Sequence, residues 1–266
     1  MPYAERVNAT MPLVVEQHGR TALVRLARPD IGNPVDDALL DALTGACGRL
    51  ADDREVRVLV LAGRPFGRGW PEERLAGLRE APPDLEGLAA FNRRWFAMLA
   101  EVPQPVIAAV GGDCLGASFE LALAADIRMA GADARFGFSE VALGRLPLAG
   151  GVSRLVRATG RPFATRLLLL GEAANAREAH AAGLVHRVVE ADDLEMAALR
   201  LADAIASRGP LGERFAKEAV RRGLDMPLEQ ALRYETDLTV ILQTTADRAE
   251  GVAAFLEKRR PRFTGD

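Results

Sequence analysis

The pattern of apolar and polar positions divides the 266-residue chain into successive strand, strand, helix units. Leu13 to Val15 and Thr21 to Leu26 read as two strands around the turn His18-Gly19-Arg20, with Leu23 alternating against Arg25 as a half-buried strand requires. Arg28-Pro29 ends the second strand. Asp36 to Leu50 then carries Leu39, Leu40, Leu43 and Cys47 at helical spacing, and Asp36 is placed to cap the first turn. The next unit opens with the apolar run Val56 to Leu61, crosses a Gly- and Pro-broken loop, and predicts a helix over about Leu85 to Glu101 presenting Leu88, Phe91, Trp95 and Leu99 on one side.

The third unit is the central one. Val106 to Val110 is a strand; Gly111, Gly112 and Gly116 follow, and a helix-like segment then runs to Ala125. Short strands around Ile127 to Met129 and Ala134 to Phe136 lead to Phe138-Ser139-Glu140. Beyond Gly150-Gly151 comes an amphipathic turn ended by Thr159-Gly160, then helices over 162–170 and 175–182 and a late strand, Leu184 to Val189. From Asp192 the pattern is helical throughout, over about 192–207, 210–223, 227–244 and 247–258. The expected organisation is a polar leader (1–11), a mixed β/α body (12–205) and a helical C-terminal region (206–266). The units are not similar enough in residues to argue an internal repeat.

Composition narrows the classes. With 49% hydrophobic residues the chain can bury a full core, and 34 Lys and Arg against 37 Asp and Glu give a net charge of −3. That balance offers no broad attraction to nucleic acid or an anionic membrane, so a polyanionic ligand must be met locally. No window approaches 18 uninterrupted apolar residues, and the first residues lack the basic start and apolar core of a signal peptide. Cys47 and Cys114 are too few and too far apart for a disulfide framework, which suits a cytoplasmic protein. His18, His180 and His186 are scattered over different elements, and no metal site is expected.

Two carboxylates stand out for chemistry. Glu120 falls in the first turn of the central helix, three residues after Ala117, whose N–H has no acceptor within the helix and lies at the positive end of its dipole. Such an amide can bind a developing oxyanion while the carboxylate works beside it. Glu140 is by itself an ordinary loop residue. Converging on one water, the pair would be different: one carboxylate can act as base while the other, held protonated by its neighbour's charge, delivers the proton. The Gly-rich turns at 63–69 and 111–116 allow close backbone approach, but neither carries a phosphate-loop or dinucleotide fingerprint.

Taken together, Arg28-Pro29 through Asn33, VRVLVLAGRPFGRG, VIAAVGGDCLGASFELALAADIRMA, ARFGFSEVALGRLPLAGGVSRL and EGVAAFLEKRRPRF resemble the crotonase family, the enoyl-CoA hydratase/isomerase superfamily, over residues 12 to 263. The resemblance implies an α/β fold of the ClpP/crotonase type: a spiral of β/β/α units forming two nearly perpendicular sheets, with C-terminal helices used in a homotrimer or a hexamer made of two trimers. It implies syn hydration of a 2-enoyl-CoA thioester, or the reverse dehydration, with coenzyme A as part of the substrate and no separate cofactor. Glu120 and Glu140 match the two family glutamates, and Trp70 and Ala117 match the oxyanion-hole amides, after Gly69 and Gly116. Leu148, after Pro147, matches a water-orienting amide. Arg28, Arg68 and Gly69 match positions along the CoA channel, and Phe255 and Lys258 match residues that a neighbouring subunit often adds to the adenine end.

The chain departs from the family at Gly67-Arg68-Gly69-Trp70-Pro71, where Ser-Ala-Gly-Ala-Asp is common. Pro71 lacks an N–H but falls one residue past the required donor. Ala117 and Leu148 stand where Gly is frequent. A double-bond isomerase, which needs one positioned carboxylate, and a catalytically weak acyl-CoA-binding protein are the alternatives within the resemblance; RNA binding has no support in the charge balance.

Overall fold

The computed structural model describes residues 11–74, 76 and 98–266. The helix expected over 85–101 lies outside the described residues up to residue 97, as does the leader before residue 11. Strands β1 (Leu13–His18) and β2 (Thr21–Leu26) pair antiparallel across a turn in which Gly19 takes a positive φ of 59°. Strands β3 (Val58–Gly63), β4 (Val106–Val110), β6 (Ile127–Gly131) and β9 (Arg187–Val189) then add in parallel, giving a six-stranded sheet of order β1-β2-β3-β4-β6-β9. A second sheet joins β5 (Asp113–Leu115), β7 (Arg135–Gly137) and β8 (Ala174–Asn175) in the order β5-β7-β8.

A parallel sheet needs cover on both faces, and the period of two along each strand supplies two apolar sides. On one side Leu59, Leu61, Val106, Ala108 and Val110 join the larger core, into which helix α1 (Asp37–Asp52) sends Leu39, Leu40, Leu43, Ala46 and Cys47. Asp36 caps this helix, accepting the Leu39 N–H at 2.9 Å. On the other side Val58, Val60, Ile107 and Ala109 meet Leu194, Ala198, Leu199 and Ala202, so helix 194–206 closes that face. All five residues of β4 are buried, which makes it the spine of the sheet.

Several boundaries differ from the sequence pattern for local reasons. Strand β3 starts at Val58 because the Val56 N–H closes the turn after α1 on the Asp53 carbonyl. Strand β9 is confined to Arg187–Val189 because the Leu184 and Val185 amides both turn back onto the Ala179 carbonyl. The short β5 and β8 were not expected; their two or three residues carry no readable alternation. The turn and helix expected either side of residue 160 form one helical stretch, Gly151–Leu170, kinked where Gly160 leaves helical geometry (φ 76°, ψ 172°) ahead of Pro162.

The C-terminal helices are Leu194–Ala206, Pro210–Gly223, Leu228–Gln243 and Ala246–Leu256, the last ending two residues early where Lys258 takes a φ of 54°. They are anchored by polar contacts as well as packing. Buried Arg57 donates to the carbonyls of Ala206, Arg208 and Phe263, and buried Asp247 accepts the N–H groups of Thr264 and Gly265. Among the described residues no helix is long and apolar enough to cross a membrane.

Candidate active site

The site forms where β4 and β5 pass into the helix that follows, α2 (Ala117–Ala124). Segment 63–70 runs alongside this joint: Gly111 N–H donates to Gly63 O, Phe66 N–H to Gly111 O, Gly67 N–H to Asp113 O, and Leu115 N–H to Gly67 O. Gly67 bridges Cys114 in parallel register, so residues 69 and 70 come alongside 116 and 117. A Cβ on Gly69 would fall 3.2 Å from the Leu115 carbonyl oxygen and 3.5 Å from the Ala117 nitrogen. Gly69 also donates its N–H to Ser118 Oγ at 3.1 Å. The two backbones that carry the Trp70 and Ala117 amides are therefore held together by a short ladder and a side-chain hydroxyl.

Every residue of α2 is buried, Ser118 and Glu120 included. An eight-residue helix with no exposed face holds a carboxylate only if that group is given donors. Glu120 Oε1 accepts the Ala149 N–H at 2.6 Å and the Gly151 N–H at 2.9 Å, both from the loop and turn that open the helix Gly151–Leu170. Its Oε2 is buried and has no partner among the described residues. A Cβ at Gly151 would lie 2.9 Å from Glu120 Cγ and Oε1, so only glycine lets this amide come so close.

Glu140 arrives from the other side. Strand β7 delivers Phe138, which packs on Phe119 at 4.8 Å between ring centroids, and a 3₁₀ turn, Ser139–Leu143, follows. Glu140 is 2% exposed and neither carboxylate oxygen has a hydrogen-bond partner among the described residues. It sits against Gly116: a Cβ there would fall 2.5 Å from Oε1 and 3.0 Å from Oε2. Gly116 has a φ of 55° and carries the carbonyl that accepts the Glu120 N–H at 3.1 Å. One glycine thus joins both acids.

Burial sets the proton affinity of the pair. Desolvation pushes Glu120 up to about 7, with the amides of Gly151, Ala149 and Leu148 pulling it down and the Glu140 charge pushing it further up. Burial likewise raises Glu140, against a downward pull from its own amide, from the Arg145 charge and from the Ala117 amide.

The other expected residues fall in different places. Arg28 grips Asp36 through both terminal nitrogens, at 2.6 and 2.7 Å, and donates to the Pro34 carbonyl, which commits its guanidinium to holding the α1 cap. Arg68 is mostly exposed and pairs with Asp113. Trp70 is half-buried against the larger core with the Arg74 guanidinium 4.6 Å from its ring centroid. Phe255 is 82% exposed and Lys258 is exposed; neither takes part in the contacts that hold Glu120 and Glu140. Sequence reasoning missed Ala149, Gly151 and Ser118. The Gly150-Gly151 pair was visible as a turn, but nothing in the sequence said that a carboxylate 31 residues earlier would take its amide.

The raised affinity of Glu120 has a cost in stability. Folding takes up a proton at this group between pH 4.5, its ordinary value, and about 7, so its destabilising effect is absent below 4.5 and complete above 7. That interval corresponds to roughly 3 kcal/mol. Glu120→Gln, which keeps the shape and an oxygen for the two amides, is expected to unfold at a higher temperature than wild type at pH 8.5 and at nearly the same temperature at pH 5. Calorimetric scans at the two pH values check this; equal midpoints at pH 8.5 would refute the burial cost.

Known proteins share both sequence and fold. The model of the enoyl-CoA hydratase/isomerase family matches residues 16–266. The 2,3-dehydroadipyl-CoA hydratase of Escherichia coli is 39% identical over 257 residues, which cover 95% of this chain and 98% of that one. A probable enoyl-CoA hydratase of Rhizobium meliloti is 40% identical over 254 residues, 94% and 97% of the two chains. The crystal structure of an enoyl-CoA hydratase from Bacillus anthracis superposes with a TM-score of 0.89 at 33% identity, covering 96% of this chain and all of that one. With its crotonase fold and near full-length matches, the chain is an enoyl-CoA hydratase-like enzyme belonging to the enoyl-CoA hydratase/isomerase family.

Proposed function

We propose that the protein adds water across the 2,3 double bond of a 2-enoyl-CoA thioester, and runs the reverse dehydration, with Glu120 and Glu140 as its acid and base. The observation that carries this reading is a pair of buried carboxyl residues that meet at Gly116, which has the Glu140 carboxylate against its Cα and the Glu120 N–H on its carbonyl. Glu120, whose Oε1 is occupied by two amides, has Oε2 left to take a proton from water as the water oxygen bonds to the β-carbon. Glu140, raised by burial and with only its own amide, the Ala117 amide and Arg145 opposing that, is the proton source for the α-carbon. The proton gained by Glu120 then has to pass to Glu140 to reset the site. A double-bond isomerase needs only one such group, so the pair favours hydration.

The thioester oxygen belongs, in this reading, between the Trp70 and Ala117 N–H groups, where charge builds in the enolate-like transition state. Losing one such donor costs about 2.7 to 4 kcal/mol in well-studied sites. The proximity of Gly69 to Ala117 supports it. Exposed Leu224, Leu228, Leu232 and Val240 on the C-terminal helices support a homotrimer or a pair of trimers, with Phe255 and Lys258 serving a neighbour's CoA.

Glu120→Gln and Glu140→Gln are each expected to lower hydration by roughly 10² to 10⁴-fold while a saturated acyl-CoA binds within a few-fold of wild type. Loss of conjugated-thioester absorbance measures the first and calorimetry the second; near-native turnover in either variant would defeat the two-carboxylate mechanism. Trp70 separates main chain from side chain. Trp70→Ala keeps the N–H and is expected to change the preference among short, long, branched and aromatic esters, whereas Trp70→Pro removes the donor and should cost far more. Parallel kcat/KM profiles for wild type and Trp70→Ala would show that the indole does not shape the acyl pocket.

A further inference from the structure

Arg145 carries a charge that the chemistry above does not use. It follows the 3₁₀ turn of Glu140, its N–H donating to the Glu140 carbonyl at 3.0 Å after Gly144 reverses the chain at a φ of 69°. Nη1 of its guanidinium is buried with no hydrogen-bond partner among the described residues. Arg145 is half-buried; elsewhere Arg57 donates to three carbonyls and Arg128 to the carbonyls of Leu184 and Ala125, while Arg28 and Arg166 each leave a buried Nε unpartnered but hold a carboxylate, of Asp36 and Glu178, through a terminal nitrogen. Arg145 lies within electrostatic reach of the Glu140 carboxylate yet forms no ion pair with it, since both Glu140 oxygens are unpartnered.

A buried cationic donor without an acceptor is costly unless something supplied from outside completes it. The position of Arg145 says what that is. On the hydration reading Glu140 must reach the reacting carbons, so a group held beside it belongs to the acyl chain and not to the nucleotide end of CoA. The guanidinium matches a carboxylate in charge and in planar geometry better than it matches a neutral hydroxyl or carbonyl. We propose that Arg145 is a specificity-determining residue that binds a carboxylate carried by the acyl group, so that the substrates are 2-enoyl-CoA thioesters of dicarboxylic acids. The proposal rests on the hydratase reading for the placement of the acyl chain.

The test compares two six-carbon trans-2-enoyl-CoA esters, one ending in a carboxylate and one in a methyl group, and the two saturated counterparts for binding. Wild type is expected to favour the carboxylate ester by at least roughly tenfold in both kcat/KM and Kd, the scale of a charge-assisted hydrogen bond. Arg145→Gln should bring both ratios close to one, and Arg145→Lys should restore part of the preference. Equal treatment of the two esters by wild type would overturn the proposal. So would an Arg145→Gln variant that weakens both esters by the same factor, because that pattern belongs to a residue acting through Glu140 or the fold. If wild type discriminates between the saturated esters yet hydrates neither unsaturated one, the hydration reading fails and the carboxylate site stands.

Discussion

The structure around the site depends on one arrangement: a carboxylate buried in a helix with no exposed face, held by two backbone amides from a loop about thirty residues away. Glu120 cannot be buried there without the Ala149 and Gly151 N–H groups, and those amides can come so close only because residue 151 has no Cβ. The kinked helix that begins at Gly151 is thereby fixed against α2, with Phe138 packed at the same glycine. Gly116 does the corresponding work for Glu140, in a positive-φ conformation that any side chain would disfavour even if the carboxylate were not already in its way.

The surrounding fold supplies rigidity to that arrangement. Strand β4 is covered on both faces, the 63–70 segment is laced to the residues after it, Gly111, Asp113 and Leu115, by four backbone hydrogen bonds, and Phe119 packs against both Phe136 and Phe138. Burial of this kind raises the affinity of each carboxyl for a proton, and the charge on one raises it further on the other. A carboxyl raised by burial to about 7, as that of Glu120 is, has the proton affinity that the proposed acid and base chemistry needs.

Much of this was legible in the chain. The apolar run Val106 to Val110 followed by glycines gave the strand and the helix start, and Asp36 announced the α1 cap because capping depends on a few adjacent residues. The resemblance to the crotonase family located Glu120 and Glu140. Contacts between distant segments were not legible: the amides that hold Glu120, the Ser118 hydroxyl that holds Gly69, and the two-residue strand β8 depend on tertiary approach and leave no local periodicity. Arg28, which the resemblance matches to the CoA channel, is engaged with Asp36, a partner only eight residues away whose role as a cap was already apparent.

The central claim is that Glu120 and Glu140 form one electrostatically coupled pair. Titration of ¹³C-labelled glutamate carboxyls by NMR, in wild type and in Glu140→Gln, measures it directly. The account predicts a Glu120 midpoint near 7 in wild type, displaced downward once the neighbouring charge is removed. A midpoint at the ordinary value of 4.5 that is indifferent to the Glu140 substitution would contradict it.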